Sequence, residues 1–266
     1  MTYPHRPSGT ALARPVSQAP TGQWTARRNT SYQQAAAPVP MRRYEALALM
    51  PDGNLTEVVQ RAPSHPAFES AFCALARGTI MATEEGPIAI EDLVPGIKVE
   101  TRDAGFQPLQ WIGTTILSAQ TPLSHMPARL FRVPVDAFGP SRPMPDLMLA
   151  PHAHLLHRSD KFRSVVNEDA ALTPITAFED GYSVIRVAPV SPVSVYHLAF
   201  KDHHILRANG LEIESFHPGH DMMSRVGGDS LRLFTSFFPH IQSVREFGPM
   251  VAPRLSVEQY EDVMAA

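Results

Sequence analysis

Residues 72–113 read FCALARGTIMATEEGPIAIEDLVPGIKVETRDAGFQPLQWIG. Thr79 to Thr83 is a short strand-like run entered from Gly78. Glu84-Glu85-Gly86 is a turn, because Gly86 takes a positive φ at no steric cost. Ile88 to Ile90 resumes the apolar run. Glu91-Asp92-Leu93-Val94 makes one helical turn, closed by Pro95-Gly96. Lys98 to Thr101 alternates as a strand with one wet face does. Arg102 to Gly105 turns the chain, and Leu109 to Ile112 forms another strand. Hairpin follows hairpin, and no long helix fits.

The rest of the 266 residues agrees with a β protein. Hydrophobic residues make up 44%, enough for a core, whereas charged residues are only 18% and prolines number 26. That balance favours strands joined by turns over long helices. The formal net charge of −3 offers no attraction to nucleic acid or to an anionic membrane. The single cysteine excludes an internal disulfide and a thiolate-cluster zinc site. No apolar run reaches the ~20 residues of a membrane span. The N-terminus lacks the apolar core of a signal peptide, so the expected location is cytoplasmic, or outside by a non-classical route.

Four segments are expected. Residues 1–42, rich in Pro, Ser, Thr, Gln and Ala without periodicity, read as a disordered tail. Residues 43–71 read as a hairpin and a short helix leading in. The hairpin turns at Pro51-Asp52-Gly53-Asn54, and the helix over 66–72 has Ser64 as its candidate cap. Residues 72–219 form the main domain. Its later strands lie at Arg129–Val135, in the apolar segment 146–156, and at Val184–Val187, Val193–Phe200 and His204–Arg207. A short helix is expected at Asn167–Leu172 and a turn at Asn209-Gly210. Residues 220–266 are a helical extension, with Leu231, Phe234, Phe237, Phe238 and Ile241 at helical spacing and a second helix over Ser256–Met264.

Three pieces in the opening stretch occur in a telling order: Gly78-Thr79-x-x-x-Thr83, Glu91-Asp92-Leu93-x-Pro95-Gly96, and Trp111-Ile112-Gly113. Together they resemble the opening of a bacterial Hint domain, the module shared by hedgehog autoprocessing domains and inteins. The resemblance continues through Leu149-Ala150-Pro151, Tyr196-His197-Leu198-Ala199-Phe200, His203, Ala208-Asn209-Gly210-Leu211 and Glu214-Ser215-Phe216, covering roughly 72–219. It implies a horseshoe-like arrangement of short twisted strands. It also implies an acyl shift, in which a Cys or Ser attacks the preceding carbonyl, a Ser/Thr-x-x-His pair assists, and no cofactor is used.

The residues that would carry this chemistry are displaced. Counting back from Gly78 puts Ala74 at the nucleophile position, with Cys73 one residue early. In a strand such an offset turns the side chain to the opposite face. Aligning on Leu149 and Pro151 puts Ala150 at the hydroxyl and Ala153 at the histidine, with His152 and His154 on either side. The acid that usually follows Pro-Gly is Ile97 here. The resemblance therefore implies a scaffold without self-cleavage, serving as a binding or structural module for an unidentified protein partner. The competing reading uses Cys73 to attack the Phe72 carbonyl, with His152 or His154 as the acid.

The histidines offer a third reading. His152 and His154, two apart on a strand, would share a face and suit a metal ion, with His203 as a third ligand from another strand. The commoner fate of such residues is a hydrogen-bonded or surface role. Asp202-His203-His204 could form a general-base pair, but no supporting hydroxyl nucleophile accompanies it. Glu84-Glu85 and Glu91-Asp92 read as solvated turn and cap carboxylates.

Overall fold

The structure is a computed structural model that describes residues 40–119, 128–219 and 226–266. The chain is mainly β, as expected. Of the expected disordered tail over 1–42, residues 1–39 lie outside the described residues, and Met41 and Arg42 already belong to the first strand.

The opening strands are β1 (Met41–Leu49), β2 (Leu55–Pro63), β3 (Leu75–Ala76), β4 (Ile80–Thr83), β5 (Gly86–Ala89), β6 (Lys98–Thr101), β7 (Gly105–Pro108) and β8 (Trp111–Leu117). After them come β9 (Leu130–Val133), β10 (Leu147–Leu149), β11 (His154–Arg158), β12 (Ala170–Pro174), β13 (Ile185–Val187), β14 (Val193–Ala199), β15 (Ile205–Ala208) and β16 (Leu211–Glu214). The helices are short: α1 (Pro66–Phe72), α2 (Arg163–Val166), α3 (Gly228–Thr235) and α4 (Val257–Ala265). No described helix is long and apolar enough to cross a membrane.

Two eight-stranded antiparallel sheets carry the fold. One runs β13-β9-β10-β3-β14-β8-β1-β2, and the other β12-β11-β16-β15-β4-β6-β7 with β5 on β4. The hairpin β1–β2 turns where Asp-Gly predicts, with Gly53 at φ 84. It is more than a lead-in, because β1 pairs with β8 from Tyr44↔Thr115 to Ala48↔Trp111. The cap of α1 is not Ser64. His65 takes that place, its Nδ1 accepting the Ala67 N–H at 3.2 Å, while the Ser64 hydroxyl bonds the buried Glu69 carboxylate. The helix expected at Asn167–Leu172 instead occupies Arg163–Val166 and ends where Asn167 turns left-handed at φ 59. Its expected C-terminal half is β12. In the C-terminal segment only Leu231 and Phe234 of the periodic set are helical; Phe237, Phe238 and Ile241 follow α3 in tight turns.

Most motif residues hold turns. Thr79 Oγ1 donates to the Ala76 carbonyl at 2.7 Å, and Thr83 Oγ1 donates to the Gly86 carbonyl at 2.5 Å. Glu91 is not merely solvated: its carboxylate accepts the Gly78 N–H at 2.9 Å, tying the Gly-Thr piece to the Glu-Asp-Leu piece. Leu93 is buried, and Gly96, at φ 105, donates to the Leu109 carbonyl. Asn209 and Gly210 both have positive φ, and the Asn209 side chain accepts the Ile80 N–H at 2.7 Å.

The largest cluster of the core is aromatic. Tyr44, Phe68, Phe72, Trp111, Phe216, Phe234, Phe237, Phe238 and Phe247 are all buried in it. Trp111 stacks on Phe238 with centroids 4.5 Å apart and meets Phe72 edge-on at 5.4 Å. Its indole N–H donates to the Phe237 carbonyl at 2.7 Å. Gly113 must be glycine, since a Cβ there would lie 2.1 Å from the Trp111 ring. A second cluster, including Ala74, Leu75, Met81, Leu149, Ala153 and Leu198, fills the other side of β3 and β10.

Candidate functional site

The residues that the resemblance singles out converge at one corner. Helix α1 ends at Phe72, and Cys73 is its C-cap, with φ −120 and ψ 63 and its N–H donating to the Glu69 carbonyl. The chain then enters β3, between β10 and β14. The turn that links β10 to β11 is docked on this junction by backbone hydrogen bonds. Ala150 N–H donates to the Ala74 carbonyl at 2.8 Å, His152 N–H to the Cys73 carbonyl at 3.1 Å, and Ala153 N–H back to Ala150 at 3.1 Å. His152 therefore sits in the turn and His154 begins β11. They do not share a strand face, because His152 lies in the turn before the strand begins.

The one-residue offset has the expected geometric result. Cys73 packs in the aromatic cluster together with Ala150. Ala74 packs in the opposite cluster together with Ala153. All four are fully buried. Burial pushes the Cys73 thiol well above its ordinary range. The Glu69 carboxylate adds to the rise, and Arg42 only partly opposes it. A reactive thiol needs an electropositive, partly open setting, and Cys73 has neither.

The imidazoles are arranged for structure. Burial lowers the pKa of His152, and neighbouring His154 and His197 lower it further. About a quarter of its side chain stays exposed, and its Nε2 lies 4.0 Å from Glu69. His197 Nδ1 donates to the Ser70 carbonyl at 2.8 Å, leaving Nε2 buried as an acceptor without a partner among the described residues. Burial lowers the pKa of His197 to about 4, against the opposing pull of the Ser70 carbonyl and Glu214. His203 accepts the Val251 N–H at Nδ1, so its proton is on Nε2, facing the Ser215 carbonyl at 3.1 Å and Glu214 at 3.3 Å. With both nitrogens engaged it is no ligand. Among the described residues, no group of three or more His, Cys, Asp or Glu is placed to hold a metal ion. The partner of His204 is Asp103 at 2.7 Å rather than the neighbouring Asp202.

Sequence reasoning missed the charge at the centre of this network. Glu214 is 1% exposed. One oxygen lies 2.6 Å from His154 Nδ1, and the other receives Nε and Nη2 of Arg254, each at 2.9 Å. Burial would raise the carboxyl, but the Arg254 guanidinium and then His154 outweigh it and hold it well below the usual range. Glu214 was visible as the first residue of Glu-Ser-Phe. Its partner Arg254 lies outside the resemblance, with no motif to point to it.

A pH dependence follows from His197. Between pH 6.5 and about 4 the unfolded ring takes up a proton that the folded ring refuses. Unfolding then consumes a proton, so stability falls as pH drops through this window. The expected loss from His197 is on the order of 2–3 kcal/mol between pH 7 and 4. His217, lowered to about 4 mainly by burial, acts in the same direction. Urea melts across that range measure the loss, and a flat profile would mean that the folded ring accepts the proton.

The Hint domain family model matches residues 73–220. No curated protein matches the chain. Among solved structures, a GSH-linked, splice-inactive variant of the AceL NrdHF class 3 split intein is similar at 12% identity and a TM-score of 0.33, with 53% of this chain and 97% of that chain covered. The family match spans more than half of the chain, begins at the α1–β3 junction and runs just past the Glu-Ser-Phe segment: this chain belongs to the Hint domain family.

Proposed function

We propose that the chain is a Hint scaffold without self-cleavage, acting as a binding or structural module. One observation carries this reading. The positions that the resemblance assigns to nucleophile, hydroxyl and acid are Ala74, Ala150 and Ala153, all fully buried, and they meet through backbone hydrogen bonds. An acyl shift needs a nucleophile and a proton for the departing amide nitrogen. Cys73, the chain's one thiol, is held protonated in an aromatic cluster, and the lowered pKa of His152 leaves it a poor acid at neutral pH.

The test is intact mass under denaturing conditions, after incubation at neutral pH with and without dithiothreitol. Denaturation is needed because α1 and the hairpin before it are built into the fold and would stay attached after a cut. The expected result is a single species at the 29.3 kDa chain mass in both samples, unchanged in Cys73→Ala. Fragments divided between Phe72 and Cys73, and absent in Cys73→Ala, would overturn the proposal and establish cysteine-dependent autoprocessing.

A further inference from the structure

Among the described residues, strand β2 is the open edge of its sheet, with β1 as its only strand partner. The strand reads LTEVVQRAP over nine residues, with an unbroken register against β1 from Met41↔Pro63 to Leu49↔Leu55. Proteins usually blunt such an edge with charged side chains, Lys above all, an internal Pro or a bulge. Here the charges are Glu57 and Arg61, one of each sign, the Pro is at the last position, and the register has no bulge. Leu55 and Val59 are 47% and 43% exposed.

The hydrogen-bonding parity of this edge can be read from both ends of the hairpin. Met50 N–H donates to the Asn54 carbonyl, and Ser64 N–H to the Pro40 carbonyl. Even-numbered residues of β2 therefore point their backbone groups at β1, and odd-numbered ones point theirs outward. On the other side of β1, Leu49 N–H donates to Gln110, as this alternation requires. The free edge thus offers the N–H and C=O of Leu55, Glu57, Val59 and Arg61, the residues whose side chains are exposed. Glu57 and Arg61 make no ion pair with any described residue.

We infer that β2 is a self-pairing edge that joins two copies of this chain antiparallel about a two-fold axis at Val59. Centred there, Val59 faces Val59 of the second copy. Glu57 of each copy then faces Arg61 of the other, twice by symmetry. All three pairs join outward-pointing residues, so each exchanges both backbone hydrogen bonds. Two opposite-charge cross-strand pairs flank an apolar centre, and the sheet continues through the axis as sixteen strands. The charge order Glu-x-Val-x-Arg is self-complementary only in this antiparallel register. A one-residue slip would face outward-pointing groups with inward-pointing ones.

Sedimentation or light scattering on the full chain, over about a hundredfold range of concentration, reads the mass. The expected result is a concentration-dependent dimer. Glu57→Arg sets like charges opposite each other at both contacts and is expected to weaken the dimer roughly tenfold or more. Adding Arg61→Glu to that variant restores opposite charges and is expected to restore the dimer. Val59→Pro deletes an N–H that points away from β1, so the hairpin keeps its bonds while the dimer is lost; circular dichroism checks the fold. A wild-type chain that stays monomeric throughout would overturn the inference. So would a dimer indifferent to Glu57→Arg and to the double exchange.

Discussion

Trp111→Ala is expected to destabilise the fold by about 3–5 kcal/mol, the usual cost of emptying a buried large aromatic site. The indole is fully buried and touches rings from three separate parts of the chain: Phe72, Phe216 and Phe238. The substitution removes the stack on Phe238 and leaves the Phe237 carbonyl without the indole N–H. That carbonyl is buried, so the lost hydrogen bond adds to the cavity cost. A typical domain has ~5–15 kcal/mol in total, so the variant is expected to be near its folding limit at 37 °C. Urea melts followed by far-UV circular dichroism measure the change. Trp111→Phe refills most of the space without restoring the donor, and the difference between the two variants separates packing from the hydrogen bond. A loss below about 1 kcal/mol for Trp111→Ala would mean that the aromatic cluster does not act as a unit.

Glu214→Gln is expected to cost about 3–5 kcal/mol for a different reason. Removing one member of a buried ion pair leaves the other charge uncompensated. Here the stranded charge is Arg254, whose side chain is 23% exposed, which places the expectation toward the lower end. His154 loses the carboxylate oxygen 2.6 Å from its Nδ1 at the same time. The effect carries a pH signature. The folded carboxyl is held well below its ordinary value of 4.5, so its stabilisation is full well above that pH and is lost as pH falls from there toward the folded value. The gap between wild type and Glu214→Gln should therefore be widest near neutrality and narrow in acid. A gap of constant size down to the acid limit would mean that charge is not what Glu214 contributes.

Local geometry was legible in the sequence where one residue dictates it. Gly53, Gly86 and Asn209-Gly210 adopt positive φ because their turns demand it, and the strands on either side of these turns lie close to where alternation places them. Legibility stopped where a side chain answers to something distant. Glu91 looks like a solvated carboxylate until Gly78 is brought to it by the β4–β5 hairpin. Asn167 looks like the start of a helix, yet it ends one, since nothing in the residues before it marks where α2 begins. Phe237 and Phe238 have helical spacing from Phe234 because a tight turn and a helix both return a side chain to the same side after three or four residues. At the candidate site the offset of Cys73 from the family position was readable by counting from Gly78. The consequence needed coordinates: neighbours in the chain fall into opposite clusters, and His152 lies in a turn while His154 begins the strand after it.

The aromatic cluster also bears on how the chain reaches its fold. Its first ring, Tyr44, precedes its last, Phe247, by roughly 200 residues, and Trp111 waits on a carbonyl 126 positions downstream. During synthesis the early rings are made long before the rings that cover them. Until residues 234–247 arrive, Tyr44, Phe68, Phe72 and Trp111 have no lid, and the β2 edge lies open beside them. Folding of this body is therefore a late event, governed by long-range closure and not by the local hairpins. The interval before closure is when the nascent chain depends most on dilution or on a chaperone.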